Sequence, residues 1–118
     1  MDNSDKIDKL AVSLQDCQKV LMAVGDENRL QLMIKMMQIK DCMGVRVGEI
    51  TEKTHLSRPA VSHHLQILKD AGIIKVRKEG TKNYYYFDSE QKTLKKLIDA
   101  LQTAVDIASE LPDRDTVI

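Results

Sequence analysis

The chain has 118 residues, 42% of them apolar and 31% charged, with 18 basic side chains against 18 acidic ones. This is the make-up of one soluble globular domain with a modest core. It excludes a membrane helix, because no apolar run approaches the roughly 20 residues a span needs. It also excludes a disulfide framework, because Cys17 and Cys42 stand 25 positions apart without a CxxC.

Ile7, Leu10, Leu14, Cys17 and Leu21 recur at steps of three and four, which predicts an apolar-striped first helix. Asp26 is placed to cap a second helix whose core face is Leu30, Ile34 and Met37, broadened by Met33 and Met36. Five of the six methionines fall between Met22 and Met43. Gap-filling core is the ordinary use of such flexible side chains; a methionine-rich binding surface is the alternative. Gly44 and Gly48 bracket a loose approach to a short third helix over residues 47–54, carrying Ile50. His55-Leu56-Ser57 then makes a three-residue turn. Many such turns place glycine at positive φ here, a region that histidine enters more readily than most residues.

Ser57 is a good N-cap for the fourth helix, and Pro59 falls in its first turn, where a missing N–H does no harm. Val61, Leu65 and Leu68 face inward and Gly72 ends the helix. Residues 73–78 and 83–87 read as strands joined through Glu79, Gly80, Thr81 and Lys82. The four aromatic residues, Tyr84, Tyr85, Tyr86 and Phe87, all lie in the second strand. Leu94, Leu97, Ile98, Leu101, Val105, Ala108 and Leu111 stripe a long last helix that stops before Pro112. The predicted fold is mainly α with a small β-hairpin: a single winged helix-turn-helix domain over residues 1–118. The helix-turn-helix spans about residues 47–70 and the wing about 73–87. The additional terminal helices, about 6–23 and 90–111, carry more apolar surface than so small a core must cover, which predicts a homodimer interface.

Charge is segregated along this order. Residues 1–45 carry six Lys/Arg against seven Asp/Glu, residues 46–82 eight against four, and residues 83–118 four against seven. The net charges run −1, +4 and −3, so the positive field sits on the predicted helix-turn-helix and wing. A polar helix start backed by a basic hairpin suits a reader of double-stranded DNA. Arg58 at the helix start can reach guanine edges, with Ser62, His63, Gln66 and Lys69 on the same solvent side. The N–H groups near Ser57 favour a phosphate oxygen. In the wing, Lys78, Thr81 and Lys82 are candidates for the backbone or minor groove, while Lys75 and Arg77 share a strand face and need only solvate it. His64 turns toward the Val61 side, where a half-buried, hydrogen-bonded structural role competes with a DNA contact.

The segments ENRLQLM (Glu27 to Met33), LSRPAVSHHLQILKDAGII (Leu56 to Ile74) and RKEGTKNYYYF (Arg77 to Phe87) closely resemble the ArsR/SmtB family of dimeric bacterial winged-helix repressors. The resemblance covers about residues 20–105. It implies an operator-binding homodimer whose DNA affinity an effector lowers or occasionally raises. Two-fold symmetry predicts an inverted-repeat operator, and the sparse cysteines without a signal peptide predict a cytoplasmic protein. Many relatives sense metals through an ELCVCDL-like segment, but the stretch here is GVRVGEI, with Arg46 and Gly48 where the cysteines would be. No histidine follows His64, so the other common metal site, along the last helix, has only carboxylates. No metal or cofactor is expected, and the effector is left open. Redox-responsive relatives pair a cysteine of the second helix with one on the last helix, which here has none. A thiol switch through Cys17 and Cys42 is therefore an alternative, with Cys17 also readable as core packing and Cys42 as the better nucleophile. Phosphate-loop, GxSxG and HExxH motifs are missing, so the chain is not expected to be an enzyme. A winged helix that binds protein instead of DNA is the remaining rival.

Overall fold

A computed structural model describes residues 3–39 and 43–112. Six helices and one hairpin follow in order: α1 (Ser4–Asp16), α2 (Gln18–Val24), α3 (Glu27–Gln38), α4 (Val47–Glu52), α5 (Arg58–Asp70), β1 (Ile74–Glu79), β2 (Lys82–Phe87) and α6 (Lys92–Glu110). The winged helix-turn-helix with flanking helices is the architecture the sequence predicts.

The first predicted helix is in fact two. α1 and α2 meet at Cys17, whose φ of −95° and ψ of 7° leave the helical region. Cys17 and Val20 are buried in the core, whereas α1 contains no buried residue. The bend lets α2 turn onto the body while α1 runs along α6. The kink is thus a tertiary compromise that an apolar stripe does not announce.

The predicted core face of α3 is corrected as well. Asp26 does cap the helix, accepting from the Arg29 N–H at 3.1 Å. The buried residues, however, are Leu32, Met33 and Met36, while Leu30, Ile34 and Met37 are 44%, 45% and 63% exposed. Two apolar rows with helical spacing compete on this helix. Rotation is decided by Arg29, whose side chain is only 13% exposed and reaches into the corner between α2 and α5. Turning Arg29 inward turns Leu30, one residue on, outward.

The turn between α4 and α5 also differs from expectation. Among the described residues, the non-glycine at positive φ is Gln91 and not His55. The Thr54 hydroxyl holds the turn instead, donating to Thr51 O at 3.4 Å and accepting from the Leu56 N–H at 3.3 Å. A side-chain hydrogen bond does locally what a left-handed residue does elsewhere. Ser57 caps α5, accepting from the Ala60 N–H at 3.3 Å. At the far end Gly72 adopts φ of 78°. The Gly72 N–H donates to Lys69 O and the Ile73 N–H to Leu68 O, at 3.0 and 3.1 Å, a Schellman ending. Val61, Leu65 and Leu68 are fully buried with Leu32, Ile50, Ile73 and Ile74, so α5 is seated in the centre of the core.

β1 and β2 pair antiparallel from Ile74↔Phe87 to Glu79↔Lys82, leaving Gly80 and Thr81 as the turn. β2 is one residue longer than predicted, whereas β1 keeps its predicted length and is shifted one residue along the chain. The wing has a third participant that the sequence did not reveal: Val45 exchanges two 2.8 Å backbone hydrogen bonds with Tyr85. Gly44 beside it has φ of 99°, and a Cβ there would stand 2.8 Å from Tyr85 O. Glycine permits this approach of two backbones.

α6 is tied to the end of α5 at its start. The Thr93 hydroxyl donates to Ala71 O at 2.8 Å, and Gln91 Nε2 donates to Ile73 O and Asp88 O at 2.8 and 2.7 Å. Beyond this joint, α1 and α6 run antiparallel as an arm, with Lys6 and Glu110 3.8 Å apart at its end. The molecule measures 62 × 27 × 23 Å and its radius of gyration is 18.5 Å. A compact chain of this length would have about 13 Å. Of the predicted stripe of α6, Leu97 is buried while Ile98, Leu101 and Val105 remain 63%, 45% and 61% exposed; the helix buries Ala100 and Ile107 instead, which the stripe did not include.

Candidate nucleic-acid interface

The face of α5 opposite its buried row is polar. At about 100° per residue, Arg58, Lys69, Ser62, Gln66 and His63 occupy roughly 140° of the helix circumference. All five are exposed, as are Ser57 at the cap and Lys78, Thr81 and Lys82 in the wing. The nine residues singled out from the sequence therefore lie on the surface. Within the described residues Arg58, Lys69, Lys78 and Lys82 have no ion-pair partner, so these charges are open to an outside anion. Gln66 is less free, because its Nε2 donates to Asp70 Oδ1 at 2.9 Å along the same helix.

The basic residues left outside the interface have other work. Arg77 Nη2 donates to Met43 O at 2.7 Å, its Nε to Glu79 Oε1 at 3.1 Å, and its guanidinium lies 5.4 Å from the Tyr84 ring centre. It pins the loop before α4 to the wing. Lys75 stands 3.8 Å from Asp88. Both therefore form contacts beyond the solvated face expected of them.

His64 is half-buried, with Nδ1 3.3 Å from Arg29 Nη1. Because a guanidinium only donates, Nδ1 is the acceptor and the neutral ring carries its proton on Nε2. Burial is the main influence lowering its pKa from the ordinary 6.5; Asp26 opposes this, and Arg29 and His63 reinforce it. The Asp26 carboxyl is in turn held below its usual value, chiefly by the hydrogen bond from the Arg29 backbone. Arg29 is the residue that the sequence reading missed. Its only signal was its place three residues after a capping aspartate, which accounts for its contact with Asp26 but not for its bonds to α2 and to His64.

Residues 26–76 match the family described as "Bacterial regulatory protein, arsR family". An uncharacterised HTH-type transcriptional regulator of Methanocaldococcus jannaschii is 42% identical over 84 residues, covering 70% of this chain and 91% of that protein. The chain belongs to the arsR family of bacterial regulatory proteins. This arsR-family chain is also 33% identical over 97 residues to a cadmium resistance transcriptional regulatory protein, a CadC homolog from Staphylococcus aureus. That match covers 82% of the chain and 76% of the relative. Among solved structures, the homodimeric winged helix-turn-helix DNA-binding domain of a possible ArsR-family regulator from Mycobacterium bovis superposes with a TM-score of 0.58. It is 25% identical, with 86% of this chain and 87% of that one covered. The chain is thus a helix-turn-helix DNA-binding transcriptional regulator.

Of the two cysteines, Cys17 is buried at the α1–α2 bend, as its core reading expected. Cys42 lies outside the described residues, so the pairing of the two has no geometry here. Among the described residues, no three His, Cys, Asp or Glu side chains converge as a metal site would require. No helix among them is long and apolar enough to cross a membrane.

Proposed function

We propose that this regulator is a cytoplasmic homodimer that represses transcription by binding an inverted-repeat operator. Arg58, Ser62, His63, Gln66 and Lys69 face the bases and Ser57, Lys78, Thr81 and Lys82 the sugar-phosphate backbone. The observation that carries this reading is the division of α5. One side is fully buried through Val61, Leu65 and Leu68, and the other presents Arg58, Ser62 and His63 to solvent beside unpaired wing lysines. A helix so seated can enter a major groove without unfolding anything.

The dimer is supported by the arm, where Ile98, Leu101 and Val105 expose one apolar flank of α6. A two-fold dimer prefers half-sites about one helical turn apart. The protein acts by reading DNA rather than by catalysing a reaction, and metal does not trigger it at the familiar family positions, where Arg46 and Gly48 replace thiolates.

Binding of the chain to duplexes recovered from its source genome, followed over a salt series, tests this. Each phosphate contact contributes a slope of about −0.9 in log affinity against log salt. A steep slope with a preferred inverted repeat is the expected result. A flat dependence with no preferred duplex would leave a protein-binding winged helix as the function.

A further inference from the structure

Arg29 stands where three elements meet. Its Nε donates to Ala23 O at 2.8 Å and its Nη2 to Met22 O at 3.0 Å, so it closes the last turn of α2. Those carbonyls belong to a helix end, where a cation is well placed. Its Nη1 points the other way, to Nδ1 of His64 on α5 at 3.3 Å, and lies 3.9 Å from Asp26 Oδ2. The guanidinium is a planar fork, so these bonds fix one another's directions.

We infer that Arg29 and His64 form the positioning pair of the DNA-reading helix: Arg29 holds α5 to the α2–α3 corner only while His64 is unprotonated. This rests on the operator reading and names a control on that same site. His64 neighbours Ser62 and His63 on the reading face yet points inward, so the pair sets how α5 presents them. Protonation would turn Nδ1 from acceptor to donor and set a second cation against Arg29. The charged groups acting on the ring are Asp26 and Arg29 on the α3 side and His63 on α5 itself. Lys19 of α2 and Asp70 of α5 flank the same groove as Arg29.

The direction of the effect follows. With its pKa lowered from 6.5 in the folded chain, His64 contributes its full share at higher pH. That share is lost progressively as pH falls through the ordinary imidazole value towards the lowered one. That pH dependence is one of fold stability; because the pair sets how α5 presents its reading face, breaking the Arg29–His64 bond by protonation should also weaken operator binding, although added positive charge generally favours DNA.

The test takes the tightest duplex that the parent chain recovers from a randomised library and measures affinity between about pH 7.5 and about pH 5.5. His64→Asn is the informative variant, since Asn Oδ1 stands where Nδ1 does and accepts without titrating. His55 and His63 are common to both proteins, so the difference isolates position 64. The expected result is a parent that loses roughly tenfold more affinity on acidification than His64→Asn. Arg29→Lys, which keeps the charge but not the fork, should lose roughly tenfold at the higher pH with its helical content intact. Nitrogen NMR of the parent should find Nδ1 of His64 unprotonated, a readout that holds even if Arg29→Lys fails to fold. Parallel pH profiles, or a proton on Nδ1, overturn the inference alone. A parent that recovers no preferred duplex overturns the operator reading and this inference with it.

Discussion

The body and the arm of this molecule are built by opposite rules. In the body, α5 is anchored by three fully buried side chains, and the cores of α3, α4 and β1 close around it. In the arm, α1 has no fully buried residue and α6 leaves an apolar flank uncovered. The body folds as a finished object, whereas the arm is half of one. The contrast teaches that reading and pairing are separable here, with substitutions in one region leaving the other's property measurable.

Four substitutions test that separation, in order of expected effect. Leu65→Ala should cost about 2–5 kcal/mol of stability, because it opens a cavity in a close-packed core. Thermal unfolding checks it, and a cost below that of a surface substitution would break the picture of a finished body. Leu101→Glu should leave thermal unfolding of the isolated chain nearly unchanged but shift the monomer–dimer equilibrium by about 2 kcal/mol or more, since a charge would be buried at the apolar flank. Sedimentation over a concentration series reads this; an unmoved equilibrium would mean the flank is not the pairing surface. Arg58→Ala should weaken the preferred duplex by about 1–3 kcal/mol and random duplex less, with the dimer intact. Equal losses on both duplexes would remove Arg58 from base reading. Smallest of all, Lys82→Ala should lower affinity uniformly and reduce the salt slope by about 0.9.

The body was also the more legible region, and the reason is physical. Ser57, Pro59, Gly72 and Gly80 act on backbone within a few residues, so the recognition helix and wing announce themselves locally. The surface position of the nine candidate residues followed from the same local geometry. What escaped the sequence depends on distant partners. The roll of α3 is set by Arg29 bonding to α2 and α5, not by its apolar spacing, which fits two rows equally well. The bend at Cys17 answers to packing on α6 and the core at once. Thr54 was an unremarked polar residue until its hydroxyl proved to hold the turn assigned to His55. The Arg29–His64 contact joins residues 35 positions apart, and only the inward direction of His64 hinted at it.

The exchange between Val45 and Tyr85 has a consequence for the cost of binding. It secures the hairpin at mid-strand to the segment leading into α4, and Arg77 adds a second tether through Met43 O. The spacing between the wing and the recognition helix is thereby fixed before any duplex arrives. Conformational entropy at the wing's base is already spent in folding, and little ordering remains to be done on contact. Only the tip, Gly80 to Lys82, lies beyond the tethers, so in the proposed complex it is the part left to adjust to the groove. Loosening the anchor, for instance by a side chain at Gly44, should cost affinity through that lost rigidity without altering any of the residues proposed to meet DNA.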